Sequence, residues 1–399
     1  MTTPIRPIGH RAETFEEEHE SFRESFRRFV EHEIVPNHLA WDRDGIVPRG
    51  LYERAGENGF LAFAVPEEQG GAGIEDFRFN AVIGEELQYA GITAAGNGVT
   101  LHNDICLPYL LRYSSAEQRA RWLPGVVAGT LIPAIAMTEP GAGSDLGAIR
   151  TRAVRADGGW LLNGTKTFIT SGINADLVIV VARTEPATAR RGMSLLVVER
   201  DMPGFDRGRN LEKIGQHAQD TAELFFDGVL VPDANLLGEE GAAFDYLMAN
   251  LPQERLSIAV SAVAGAEAAL QWTCDHVRER HAFGASLGAL QSIRMSLAWA
   301  STEVEVTRSF VDQCLRKHVA GKLAPERAAM AKCWATEVQG RVLDVGVQLH
   351  GGYGYMTEYP IARAWADGRI TRIYGGANEV MLDLIGRSLP LVSTSSHRH

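Results

Sequence analysis

Along the first third of the chain, apolar residues recur with the period of a helix. Phe22, Phe26, Phe29 and Val30 fall on one face. Leu51 to Phe60 forms a second segment, closed by Asn58-Gly59, and the apolar run Phe77 to Tyr89 follows a break at Gly70-Gly71-Ala72-Gly73. Ser115 is placed to cap a further helix, with Glu117 in its first turn. Helices are therefore expected from about Glu16 to Thr130. After Gly129 the pattern changes to short runs rich in Val, Ile, Leu and Phe: Leu177 to Ala182, Ser194 to Val198 and Thr221 to Phe226. Gly158-Gly159-Trp160-Leu161-Leu162 runs into Asn163-Gly164, a hairpin-turn dipeptide, so a second strand is expected from Thr165 to Thr170. Helical periodicity returns in segments from about Ala242 to His281, Gln291 to His318, Pro325 to Leu349 and Ala377 to Arg387. The order helices, strands, helices predicts an α+β chain. Its expected parts are an N-terminal α-helical domain (1–132), a middle β domain (133–238), a C-terminal helical bundle (239–389) and an unstructured tail (390–399).

Composition narrows the function classes. A chain of 399 residues has room for two or three packed units. With 45% hydrophobic and 22% charged residues it reads as an ordinary globular protein. The net charge of −11 argues against a general nucleic-acid or membrane-surface binder, while leaving room for an anionic small ligand held by local arginines. Cys106, Cys274, Cys314 and Cys333 form no CxxC pair and have no His at metal spacing, so neither a disulfide framework nor a metal site is expected. No apolar run reaches membrane-spanning length. The acidic N-terminus, with Glu13, Glu16, Glu17 and Glu18, lacks the character of a signal or transit peptide, and a cytoplasmic location is expected.

The candidate chemistry begins at Ala134 to Gly147, where an apolar segment stops at Glu139-Pro140 and turns into Gly141-Ala142-Gly143-Ser144-Asp145. Glycines admit close approach of backbone N–H groups, and the hydroxyls of Thr138 and Ser144 add directional partners. A dinucleotide fingerprint fails here: the third glycine comes one place late, at Gly147, and a strand pattern follows instead of a helix. Alone, the segment reads either as a cofactor loop or as a surface turn.

Taken with three more stretches it becomes specific. Ala136 to Asp145 (AMTEPGAGSD), Arg280 to Gly284 (RHAFG), Gln348 to Pro360 (QLHGGYGYMTEYP) and Ile373 to Glu379 (IYGGANE) together resemble the acyl-CoA dehydrogenase family over about Phe15 to Leu389. The long-chain-type branch is the most similar, through LPQERL, KCWATEVQ and IYGGANEVM. The resemblance implies FAD as cofactor, an acyl-CoA substrate desaturated between its α and β carbons, an electron-transfer flavoprotein as acceptor and a homotetramer built as a dimer of dimers. It also implies roles. Met137, Thr138, Gly143 and Ser144 line the flavin, with Ser144 also toward CoA. Phe168, Ile169 and Thr170 match the strand that packs an aromatic on the flavin, where many members have tryptophan. Arg280 and Phe283 match the motif that reaches the FAD of a neighbouring subunit. Gln291, Gln348, Leu349, Gly351 and Gly352 match further contacts to that cofactor, as do Ala377 and Glu379.

Many members carry the catalytic base directly after the Ile-Tyr of the last motif, where this chain has Gly375. Branches without it place the base on the long helix of the C-terminal domain. Glu254, in Leu251-Pro252-Gln253-Glu254-Arg255-Leu256, is the match, with Pro252, Gln253, Arg255 and Gly376 toward substrate and the Gly375 N–H on the thioester oxygen. Asp245 stands where the long-chain branch often has an aromatic. The small residues Ala90, Gly91 and Ala94 to Gly96 fit either an acyl tunnel or tight helix packing. Two alternative functions are an acyl-CoA oxidase-like flavoenzyme using oxygen and a non-catalytic CoA- or FAD-binding paralogue.

Overall fold

The computed structural model describes residues 11, 13–188 and 191–391, with backbone only at 185–188 and at 191. The expected tail from 392 on lies outside them. The chain divides into two compact units, Glu17–Asn250 and the segments on either side of it.

In the first unit, helices α1 (Glu17–Phe29), α2 (His38–Asp44), α3 (Gly50–Glu57), α4 (Phe77–Tyr89), α5 (Thr93–Thr100), α6 (Leu107–Tyr113) and α7 (Ala116–Val127) precede the strands. Phe26 packs edge-on to Phe60 at 5.0 Å and Phe22 edge-on to Phe79 at 5.1 Å, so the helical phenylalanines form one aromatic core. Asp76 caps α4 by accepting from the Arg78 N–H. Ser115 and Gln118 close a reciprocal capping box on α7. The small residues of α5 are packing residues at two positions: Ala95 is buried, and a Cβ on Gly96 would lie 2.2 Å from the Leu87 side chain.

The strands are β1 (Pro133–Ala136), β2 (Arg152–Ala156), β3 (Gly159–Thr170), β4 (Leu177–Thr188), β5 (Arg191–Glu199), β6 (Phe205–Asn210), β7 (Thr221–Pro232) and β8 (Leu236–Leu237). They form one sheet in the order β6-β7-β3-β2-β4-β5-β8, with β1 parallel to β4. The run Leu177 to Ala182 shows no polar alternation because β4 is buried on both faces. Leu177, Ile179 and Val181 pack with Tyr109, Trp122 and Leu123 of the helices. Val178, Val180 and Ala182 pack with Trp160, Leu196 and Val231 inside the sheet.

The hairpin turn is not at Asn163-Gly164. β3 runs unbroken through that dipeptide, and Ala156 pairs with Gly159 across a turn made by Asp157-Gly158. At Gly164 the register against β7 shifts instead, a bulge with φ +150°, while Asn163 accepts from the Gly228 N–H at 2.8 Å. The Thr151 backbone presses on the bulge: a Cβ on Gly164 would come within 2.8 Å of its Cα. Other strands are longer than their apolar runs, because their ends pair at the sheet margin where polar residues are tolerated.

In the second unit, α8 (Ala243–Glu279), from Leu251 on, packs with α9 (Gln291–Val319), α10 (Pro325–His350), α11 (Pro360–Gly368) and α12 (Asn378–Ser388). Ala266, Ala269 and Leu270 of α8 meet Val304 of α9 and Val338 and Val342 of α10. Glu267 and Arg308 form a buried two-pronged ion pair between α8 and α9, at 2.8 and 2.5 Å. The helix expected to reach His281 ends at Glu279. A small hairpin, β9 (His281–Ala282) with β10 (Ala285–Ser286), turns at Phe283-Gly284.

Replacing Gly158 by Ala should cost roughly 1 kcal/mol, the ordinary penalty for a left-handed glycine whose Cβ meets open space. Gly164→Ala should cost clearly more, since strain and backbone collision add. Denaturant unfolding of the two variants checks the order; equal losses would return the turn to Asn163-Gly164.

Candidate active site

The signature loop is held to β3 by a buried ion pair. Lys166, fully buried, donates from Nζ to Glu139 Oε1 at 2.8 Å and to the Met137 carbonyl at 3.0 Å. Glu139 also accepts from the Arg150 and Thr151 N–H groups at 2.6 and 2.9 Å. Burial would raise the Glu139 carboxyl, but hydrogen bonds from Lys166 and Thr151 outweigh it and hold its pKa below the ordinary value. Burial pushes the Lys166 ammonium down to about 8, against the pull of Glu139.

The Thr167 N–H donates to the Thr138 carbonyl at 2.9 Å, so two stretches far apart in sequence are joined at one edge. Beside this junction Phe168 sits at φ +58° with its ring 67% exposed, a left-handed conformation unfavourable for an aromatic residue. Thr170 shares the outward side of the strand, whereas the Ile169 side chain points into the sheet core and has only backbone to offer a ligand. Gly143 and Ser144 are exposed, and a Cβ on Gly141 or Gly143 would meet nothing within 4 Å. Met137 packs its side chain on the core behind the loop.

In the second unit, Arg280, Gln348, Leu349, Gly351 and Gly352 line one open groove of about 490 Å³. Sequence reasoning missed other residues of this groove. His276 and His350 stack at 4.2 Å beneath it, and Tyr353 lies under the Arg280 guanidinium at 5.8 Å. Burial, then the neighbouring His350 and Arg280, hold His276 below its ordinary pKa; burial does the same to His350. The available signal was position: His276 lies one helical turn before Arg280. Gln291, at the start of α9, is exposed and lies outside the groove lining. Phe283 also lies outside it, at φ +53° with its ring 94% exposed on the hairpin turn.

Elsewhere in this unit, Glu254 is buried on α8, 4% exposed, and Arg255 beside it is buried with no partner for Nε among the described residues. Burial lowers the Arg255 pKa, opposed by Glu254. One turn along α8, Ile258 meets Gly375: a Cβ there would fall 2.3 Å from Ile258 Cδ1. Residues four apart share a helix face, so the Gly375 turn lies against the face that carries Glu254. Gly375 and Gly376 have φ +62° and +90°. The Gly375 N–H meets no acceptor among the described residues. Lys332, fully buried on α10, donates to the Gly376 carbonyl at 2.8 Å and to Asn378 Oδ1 at 2.9 Å. Sequence reasoning missed this lysine too; its signal was a lone cation in the otherwise uncharged run Ala328 to Ala335. Ala377 and the exposed Glu379 open α12, and Pro252 and Gln253 are half-buried beside Glu254. In the first unit, Asp245 is exposed in the first turn of α8, a place that favours a carboxylate. Among the described residues no cluster of three His, Cys, Asp or Glu is placed to hold a metal ion, and no helix is long and apolar enough to cross a membrane.

An exposed aromatic held in a strained conformation, an open glycine loop and a groove with an arginine at its rim suit a flavin dinucleotide. Comparison with known proteins agrees. The acyl-CoA dehydrogenase N-terminal, middle and C-terminal domain families match residues 16–130, 134–229 and 241–389. The long-chain specific acyl-CoA dehydrogenase, mitochondrial, of Sus scrofa is 48% identical over 94% of this chain and 87% of its own. An acyl-CoA dehydrogenase of Bacillus subtilis is 36% identical over 92% of this chain and 96% of its own. The crystal structure of acyl-CoA dehydrogenase from Geobacillus kaustophilus superposes with a TM-score of 0.93 at 49% identity, covering 94% of this chain and 99% of that one. The chain belongs to the acyl-CoA dehydrogenase family and has its three-part fold. It is an FAD-dependent oxidoreductase of acyl-CoA thioesters.

Glu139→Gln leaves the Lys166 ammonium buried without its counter-charge and should cost roughly 3–5 kcal/mol, with Lys166→Met/Glu139→Gln recovering part of it. The folded pKa of Glu139 lies below its unfolded one. Its stabilisation is therefore complete only above the ordinary carboxyl value, at about pH 5 and higher, and is lost as the pH falls through the folded value. Thermal unfolding against pH should show a shallower acid-side loss in Glu139→Gln than in the parent.

Proposed function

We propose that the protein converts a saturated acyl-CoA to the trans-2-enoyl-CoA, with Glu254 taking the α-proton. The observation that carries this reading is the buried Glu254 on the α8 face that packs, through Ile258, against the Gly375 turn. The α-proton of a thioester is a poor acid, so a carboxylate must be positioned for it and the carbonyl oxygen must receive hydrogen bonds as enolate character grows. Gly375 serves twice: it lacks a side chain beside the base, and its N–H, without an acceptor among the described residues, is available to the thioester oxygen. Arg255, buried with an unsatisfied Nε, orders this region, with Pro252, Gln253 and Gly376 toward the substrate. When bound, FAD supplies the two-electron acceptor for the β-hydrogen and a ribityl hydroxyl as the second donor to the oxygen. Met137, Thr138, Gly143, Ser144, Phe168, Ile169 and Thr170 bind its flavin side, with Phe168 as the stacking surface and Ile169 acting through its backbone. Electrons pass on to an electron-transfer flavoprotein in the cytoplasm.

The groove of Arg280, Gln348, Leu349, Gly351 and Gly352 takes the FAD of a neighbouring subunit in a homotetramer, and Phe283, Gln291, Ala377 and Glu379, outside the groove lining, contribute further cofactor contacts. Met295, Trp299 and Val306 support the assembly. They are 65%, 73% and 58% exposed at helical spacing on α9, a stripe suited to burial against another copy.

Anaerobic addition of saturated acyl-CoAs of graded length should bleach the flavin. Glu254→Gln should slow bleaching by roughly 10²–10⁴-fold with FAD retained; an unchanged rate removes Glu254 from the role. Stoichiometric hydrogen peroxide during turnover would replace the flavoprotein acceptor with oxygen. Phe283→Asn, which suits a left-handed turn better, should leave subunit stability equal or higher yet weaken both FAD retention and self-association, read by flavin release and sedimentation.

A further inference from the structure

We propose that Lys332 is a positioning residue for the reaction: its buried ammonium holds the Gly376 carbonyl and thereby aims the Gly375 N–H at the thioester oxygen. The inference rests on the assignment of that N–H as the substrate donor.

Two consecutive glycines with φ +62° and +90° give the turn between Tyr374 and Ala377 a soft backbone. A donor that must meet a developing oxyanion at hydrogen-bond distance needs a rigid mount, since a misplacement near 1 Å can cost about 100-fold in rate. Lys332 is that mount. It reaches the Gly376 carbonyl at 2.8 Å, and its second acceptor, Asn378 Oδ1, is fixed in turn. Asn378 Nδ2 donates to Thr336 Oγ1 at 3.0 Å and to Glu337 Oε1 at 2.8 Å, both on α10. The turn is thereby tied to a long helix through a chain of side-chain hydrogen bonds.

The choice of lysine is costly for a merely structural tie. Both acceptors are uncharged, and the side chain is fully buried. The charged and titratable groups around it are Arg255 from α8, Glu337 and Cys333 from α10, and Glu379 from α12. Burial, with Arg255 opposing its charge, brings the ammonium down to about 8. A neutral donor would hold a carbonyl with less desolvation. A cation behind the Gly376 peptide also favours negative charge on an oxygen in front of the Gly375 N–H.

The test reads the thioester carbonyl directly. Flavin-loaded parent is mixed with trans-2-dodecenoyl-CoA isotope-labelled at the thioester carbonyl, and the infrared stretch of the bound carbonyl is compared with that in water. The parent should show a downshift. Lys332→Met should lose most of it and slow flavin reduction by a saturated acyl-CoA about 100-fold, with binding of the CoA ester little changed. Lys332→Ala should lose the downshift and regain it with added ethylammonium. A parent without a downshift removes the Gly375 assignment and this proposal together. A parent downshift retained in Lys332→Met or Lys332→Ala overturns the lysine's role alone. Loss of flavin from both variants assigns Lys332 to the scaffold and overturns it as well.

Discussion

The buried pair of Lys166 and Glu139 is the constraint on which the glycine-rich loop of the first unit depends. A glycine-rich loop has little structure of its own. Here it is gripped from beneath by one ammonium that reaches both Glu139 and the Met137 carbonyl, while Glu139 pins the Arg150 and Thr151 N–H groups at the far end. The loop is thus tied to β3 at its start and to Glu139 at its far end, and Gly141, Gly143 and Ser144 stay exposed while Ala142 is buried. The same strand presents Phe168 outward under strain. A strained, exposed aromatic is expensive for folding, and the buried pair next to it is the kind of rigid support that lets such a conformation persist.

The second unit repeats the logic with different parts. A soft turn, Gly375-Gly376, carries the backbone N–H proposed as substrate donor, and a buried lysine again holds a carbonyl, here that of Gly376. The helix behind it supplies rigidity: α8 carries Glu254 and Ile258 on the face that meets the turn, and α10 carries Lys332 and its supporting Asn378 contacts. In both places function is assigned to backbone N–H groups and outward side chains, while charge is buried to fix where they point. Glycine at position 375 is consistent with this design, because a side chain there would collide with Ile258 and disfavour the left-handed conformation.

Much was legible from the amino-acid order alone. Helical periodicity located α4, α9, α10 and α12 to within a residue or two at their ends, because an amphipathic helix repeats its signal over many turns. The α–β–α succession and the family resemblance followed from the same order. Local turn chemistry was less decisive. Asn163-Gly164 and Asp157-Gly158 carry nearly the same hairpin signal, and only the pairing of β3 with β7, and the pressure of Thr151 on Gly164, made the first a bulge and the second the turn. Likewise the helical pattern read as far as His281, where the chain instead leaves α8 at Glu279 and pairs β9 with β10. What tertiary structure alone decided is which polar side chains are buried and with whom. Lys166 and Lys332 are ordinary letters in a strand and a helix, and His276 is one more histidine. Their roles arise because packing brings a carboxylate, a carbonyl or a second ring to them from distant parts of the chain, and no spacing along the sequence encodes that.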